Sequence, residues 1–251
     1  MAECEEGCVK AIREFFGEHL GQGTGMSDKR VVLTGATGMI GGLALQYALS
    51  DPAVASVTSI GRRAADVTHP KLRQMTHEDF GDFSPIEAQL KGQDVALFCL
   101  GVYTGAVPDD RFREITVDYT AAFAKALFDA SPDAAFCLLS GAGADQTEKS
   151  RISFARYKGM AENALLRLGF LRVHIFRPGY IYPVTPREEP NVTYRITRML
   201  YPGIRRLYPN IGIPSEDLAR AMLHAGLRGT LDHSSPVLEN RDIRRLAERI
   251  A

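Results

Sequence analysis

Net charge is the first thing this chain lacks: thirty Lys and Arg are balanced by thirty Asp and Glu. Without a broad positive field there is no electrostatic footprint for nucleic acid or for an anionic lipid surface. Long apolar runs are missing too, none approaching the roughly 18 residues that would suggest a membrane span. Cysteine is scarce, and Cys4, Cys8, Cys99 and Cys137 form no CxxC pair. The last two lie in apolar runs that read as buried strands, a usage that suits a reducing cytoplasm. Metal-ligand spacing is absent as well. Cys4, Cys8 and His19 lack a fourth ligand, and His69, His77, His174, His224 and His233 are scattered, so no metal is expected. There is no internal repeat and no low-complexity tract. What remains is a chain of 251 residues with 45% hydrophobic content, enough for one large core in a single α/β body.

The start of the chain stands apart. Met26 opens the run MSDKRVVLTG, which reads as an ordinary protein start leading directly into a strand, so residues 1–27 are read as an N-terminal extension. Within it Val9, Ile12, Phe15, Phe16 and Leu20 have helical spacing, and GQGTG follows as a flexible linker. The spacing predicts a short docking helix. Its mixture of Glu and Lys differs from an acid-poor transit peptide, and it lacks the apolar core of a secretion signal.

From Lys29 onward, short β-branched or apolar runs alternate with longer helical patterns, the signature of a parallel sheet wrapped by helices. Strands are expected at Arg30–Gly35, Ser56–Arg62, within KLRQMTHEDF, at Asp94–Gly101, Ala134–Gly141 and Arg172–Gly179. Helices are expected in MIGGLALQYALSD, FREITVDYTAAFAKALFDA and ISFARYKGMAENALLRLG. YIYPVTPREEP reads as a proline-rich loop, followed by helical segments near Val192–Leu207, Ser215–Leu227 and the closing DIRRLAERIA. The fold class predicted for residues 28–251 is α/β, a doubly wound parallel sheet. Its C-terminal part, about 183–251, is expected to form a small cap over the strand ends where ligands bind.

TGATGMIGG places Gly35, Gly38 and Gly41 in a GxxGxxG spacing between the first strand and a helix. Glycines there let a backbone approach a pyrophosphate whose charge the helix N-terminus accepts. Thr34, Thr37, Met39 and Ile40 complete the expected loop. At the end of strand two, where a carboxylate would select NAD by bonding the ribose 2′-hydroxyl, the chain carries Gly61, Arg62 and Arg63. Two guanidinium groups suit a 2′-phosphate, so NADP is the expected cofactor.

The loop resembles the TGxxGxxG of the short-chain dehydrogenase/reductase superfamily. CLG at Cys99–Gly101, LLSGAGAD at Leu138–Asp145 and FRPG at Phe176–Gly179 are similar to its atypical members, the NmrA-like and Tat-interacting-protein-like group with epimerase-like relatives. The resemblance covers most of Arg30–Leu227. It implies a Rossmann fold, with Asp79 and Phe80 near the adenine and with Cys99, Leu100, Gly101, Pro178 and Gly179 along the cofactor. It also implies a Ser after strand five and a Tyr/Lys pair four apart on the next helix. Tyr would move the proton, and Lys would hold the nicotinamide ribose and lower the Tyr pKa.

Ser140 matches the Ser position. FARYKGMAE allows two registers, Phe154 with Lys158 or Tyr157 with Ala161. The KG step and Glu162 match the group's YxxxKG pattern, so Lys158 is retained and Phe154 stands in the Tyr place. A phenyl ring transfers no proton, and Tyr157, about 100° round the helix from Lys158, should point elsewhere. Tyr103, Tyr180 and Tyr182 are then candidate replacement acids, or half-buried loop aromatics. Asp118 falls where relatives often carry Asn. The basic stretch Arg195–Tyr208, with Arg205 and Arg206, reads as a solvated face or as a dock for an acidic substrate or partner. Two functions follow: an NADP-dependent oxidoreductase or epimerase-like enzyme on a small carbonyl or hydroxyl substrate, or an NADP(H)-sensing regulator that contacts a protein partner or a second copy.

Overall fold

The computed structural model describes residues 29–184 and 211–250. The expected N-terminal helix, the helix near Val192–Leu207 and the Arg205–Arg206 stretch lie outside the described residues.

Strand β1 (Lys29–Thr34) leads through the glycine loop into α1 (Met39–Ser50); β2 (Val54–Gly61) and β3 (Leu72–Thr76) follow. A short helix α2 (Glu87–Leu90) precedes β4 (Val95–Phe98). Next come α3 (Asp109–Arg113), a π-helical turn at Glu114–Asp118, and α4 (Tyr119–Ala130). β5 (Ala135–Leu139), α5 (Ser153–Leu166) and β6 (Arg172–Arg177) complete the second half, and β7 (Tyr180–Tyr182) pairs in parallel with β8 (Gly212–Pro214). The described chain closes with α6 (Ser215–Arg228), β9 (Val237–Glu239) and α7 (Asn240–Arg249). The main sheet has the order β3-β2-β1-β4-β5-β6-β9, and every pair in it is parallel.

Strand parity explains why both faces must be covered. Val31, Leu33, Val95, Leu97, Cys137 and Phe176 point to one face and join α1, α6 and α7 in one apolar core. The alternate residues Val32, Ala96, Phe98, Phe136, Leu138 and Ile175 point to the other and meet Phe123 and Leu127 of α4 and Leu165 of α5. A strand buried on both sides reads as a continuous apolar run, as β4 does. On the second face Phe98, Phe123 and Phe136 pack with ring centroids 5.4–6.2 Å apart, one pair tilted, one stacked and one edge-on, within the centroid range at which aromatic rings attract.

The described part of the expected cap is woven into the sheet: α6 packs on α1, and β9 adds a seventh strand beside β6. Three strands escaped the sequence pattern, because three residues are too few to show an alternation. Each is bordered by proline: Pro178 and Pro183 around β7, Pro214 ending β8, Pro236 before β9. The helix expected from Phe112 begins earlier, at Asp109, and carries the π turn, a wide turn often found at functional sites.

Strand order reverses at β1, with β2 on one side and β4 on the other. The crevice beyond the carboxyl ends of β1 and β4 is where ligands bind in open α/β sheets.

Candidate functional site

Backbone geometry at the β1–α1 turn is fixed by contact with the next strand. Gly35 has φ +79°, and a Cβ there would stand 2.6 Å from the carbonyl oxygen of Cys99. A Cβ on Gly41 would overlap the Gly35 carbonyl, so the helix can start this close to the turn only with glycine at 41. Gly38 is extended at the N-cap, no side chain caps α1, and its first turn carries no acidic residue. The positive end of a three-turn helix therefore opens unneutralised above the switch point. Thr37 and Gly38 are exposed at this tip, whereas Thr34 is fully buried behind it.

The helix start forms one wall of a cleft of about 330 Å³. Gly38, Met39 and Ile40 line that wall, and Cys99, Leu100 and Gly101 line the floor beyond β4. Pro178 and Gly179 close the side beyond β6. Ser140, Lys158, Tyr103 and Tyr180, the four expected catalytic side chains, also line this cleft, together with Phe154. Burial without a charge partner pushes the Cys99 thiol up to about 12, so it stays protonated at neutral pH.

Eight expected cofactor residues do not line the cleft: Thr34, Gly35, Thr37 and Gly41 belong to the turn beside it, and Arg62, Arg63, Asp79 and Phe80 follow β2 and β3. Arg62 and Arg63 follow β2, whose Ile60 is in register with Thr34, so the two arginines stand beside the glycine turn. Both are exposed and make no hydrogen bond or ion pair among the described residues. Asp79 is exposed and accepts the Gly81 N–H at 2.8 Å. Phe80 requires a correction. Its side chain is 1% exposed and packs against Phe83, His77 and Tyr119 at 5.6–5.8 Å. That ring belongs to the core, and the residue as a whole offers an adenine almost no surface.

Helix α5 brings the second half of the site. Gly159 presses directly on the Asp145 carbonyl, where a Cβ would overlap it, and this seats the helix against the loop after β5. Lys158 is half-buried; its Nζ donates to the Leu139 carbonyl at 3.2 Å. Loss of hydration pulls its ammonium down to about 8, partly opposed by the carboxylate of Glu162. Tyr157 points away, as its place on the helix predicts: its hydroxyl donates to Asp109 at 2.6 Å and its ring packs on Phe112. Asp118 is ion-paired with Arg113 at 2.8 Å.

Ser140 belongs to a buried hydrogen-bond network. Its residue borders the cleft, but its hydroxyl donates to Glu162 Oε1 at 2.5 Å. Glu162 is 0% exposed and also accepts from Gln146 at 2.9 Å and from both Nε and Nη2 of Arg177, at 3.0 and 2.5 Å. Arg177 reaches on to Glu239 at 2.9 Å. A fully buried carboxylate survives only with such a set of donors. Sequence reasoning saw Glu162 only as part of a pattern; an acid one turn after a lysine on a helix facing strand ends was the available signal.

No family model matches the chain. A mitochondrial protein of Aspergillus clavatus, fmp52, is 30% identical over 208 residues, covering 79% of this chain and 87% of its own. HTATIP2 of Rattus norvegicus is 28% identical over 202 residues, covering 79% of this chain and 81% of its own. Among solved structures, Gre2 of Candida albicans, in complex with NADPH, has a TM-score of 0.60 at 17% identity over 78% of this chain and 74% of its own. The Bordetella bronchiseptica enzyme WbmH, in complex with NAD+, has a TM-score of 0.58 at 18% identity over 78% and 71%. These two show the fold.

The cytoplasmic expectation is overturned by the relatives, since fmp52 proteins of Aspergillus clavatus, Emericella nidulans and Candida albicans are named as mitochondrial. Unpaired thiols such as Cys99 and Cys137 do not tell one reducing compartment from another. Among the described residues, no helix is long and apolar enough to cross a membrane. With a glycine turn on an acid-free helix start, a lysine on α5 and a relative of this identity and coverage, the chain belongs to the family of the Fmp52 proteins, in the atypical short-chain dehydrogenase/reductase group that also holds HTATIP2.

Proposed function

We propose that this protein binds NADP(H) across the switch point and acts as an oxidoreductase or epimerase-like enzyme on a small carbonyl or hydroxyl substrate. The observation that carries the reading is the uncapped, acid-free start of α1 opening on the same cleft as Lys158. The turn residues fit a diphosphate: Gly38 leaves the first amides of α1 bare, and Gly35 and Gly41 keep the backbone low. Arg62 and Arg63, exposed beside the turn with no carboxylate partner among the described residues, fit a 2′-phosphate and support NADP(H) over NAD(H). Lys158 would hold the nicotinamide ribose. When bound, the dinucleotide supplies or accepts a hydride. The proton would come from water in the cleft or from Tyr103 or Tyr180, because Phe154 has none to give.

A second reading is favoured by two observations, the phenyl ring at 154 and the Ser140 hydroxyl donated to Glu162. It is a nucleotide sensor that contacts a protein partner without turnover. Calorimetric titration with NADPH and NADH tests the shared part. NADPH should bind more tightly, and replacing Arg62 and Arg63 by Ala should cost about tenfold in NADPH affinity, or ~1.4 kcal/mol, with little change for NADH. No heat from either nucleotide at millimolar concentration rejects both readings. NADPH consumption over a carbonyl panel then separates them: turnover supports the enzyme, background rates the sensor.

A further inference from the structure

We propose that Lys158 is itself a nucleophile that captures apolar aldehydes and ketones as an imine in the nucleotide-free protein. This goes beyond nucleotide binding and does not depend on it.

Three features place a reactive amine here. Lys158 Nζ has one hydrogen-bond partner among the described residues, the Leu139 carbonyl at 3.2 Å, and no carboxylate within ion-pair distance. The nearest acid along its helix, Glu162, has its oxygens occupied by Ser140, Gln146 and Arg177. The amine also opens on a cleft whose neighbouring walls are apolar, with Phe154, Val102, Ile181 and Pro183 on them. A lysine activated for attack on a carbonyl is one desolvated in an apolar pocket, where the ammonium is disfavoured.

Among the described residues, the cleft lining supplies no competing charge. Across the cleft the titratable groups are Cys99, held protonated by burial, and the phenols of Tyr103 and Tyr180. From β6 the guanidinium of Arg177 stands behind Glu162. Desolvation outweighs the pull of Glu162 and leaves the amine titrating at about 8.

The step balances without a redox partner. The Nζ lone pair forms a bond to the carbonyl carbon, the C=O pair moves to oxygen, and a proton passes from nitrogen to oxygen. Loss of water from this carbinolamine gives the imine. Apolar walls favour an uncharged alkyl or aryl carbonyl.

The test is reductive trapping in nucleotide-free protein. The full chain is incubated with hexanal and sodium cyanoborohydride from pH 6.5 to 10, and the alkylated lysines are located and timed by peptide mass mapping. Lys91 and Lys125, both well exposed and paired with Glu87 and Asp129, are internal references. Lys158 should be alkylated about tenfold faster than either at pH 7, with a midpoint near 8. Lys158→Arg should lose that label alone. Alkylation of Lys158 at or below the rate of Lys91 and Lys125 overturns the proposal, and so does a midpoint shared with them. Because no nucleotide is present, failure here is distinct from failure to bind NADPH.

Discussion

The ring of Phe154 lies against the bare Cα of Gly141, so closely that a methyl group added at 141 would stand 2.6 Å from Cζ. Position 141, one residue past the serine that donates to Glu162, is thus the one whose side chain would face the head of α5. An aromatic ring at 154 and no side chain at 141 are a matched pair.

Gly141→Ala should therefore strain the site, costing about 1–3 kcal/mol by overpacking. Pairing it with Phe154→Leu should recover most of that loss, since the smaller side chain clears the space. Urea midpoints of the two single variants and the double variant form the cycle. Additive losses would show that the two residues do not share the space.

Glu162→Ala should be among the costliest single changes. It removes the acceptor of Ser140, Gln146 and Arg177 together, leaving the guanidinium with only the half-exposed Glu239. A loss of about 3–5 kcal/mol is expected for breaking a buried pair on one side, measured by equilibrium denaturation. A loss under 1 kcal/mol would mean that the network is wet and loosely held.

Acid should weaken the fold through His174. Burial, aided by Arg172 and His233, lowers its pKa to about 4, while the unfolded ring titrates near about 6.5. The folded state holds the neutral ring, so the unfolded chain binds more protons as pH falls from about 6.5 to 4. Stability from this group is intact above the unfolded value, is lost through that window, and is fully gone below the folded one. His174→Gln should flatten the dependence of the urea midpoint between pH 7 and 4.5; an unchanged slope would remove His174 as its cause.

What the sequence made legible was whatever repeats over enough residues. The glycine spacing Gly35, Gly38 and Gly41, the unbroken run of β4 and the helix carrying Lys158 all follow from local rules, and the structure gathers Ser140, Lys158, Tyr103 and Tyr180 at one cleft. Local rules fail where a side chain's job is set by residues far along the chain. Phe80 looked like a loop residue at a strand end, yet Phe83 and Tyr119 draw it into the core. Ser140 had the right position, but its hydroxyl donates its hydrogen bond to Glu162. Strands of three residues carry no period to read; Val237–Glu239 exists because β6 offers it an edge, and β7 and β8 because each offers one to the other.

That last strand has a reach larger than its size. Immediately after it, the Asn240 carboxamide accepts the Gly179 N–H at 2.9 Å and donates to the Gly212 carbonyl at 3.2 Å. It thereby clips the β6–β7 bend, one side of the cleft, to the strand that re-enters at 212. Asn240 is in this sense the buckle of a belt: it stands outside the cleft lining, yet losing that one carboxamide would slacken a wall of the pocket while β9 kept its place in the sheet.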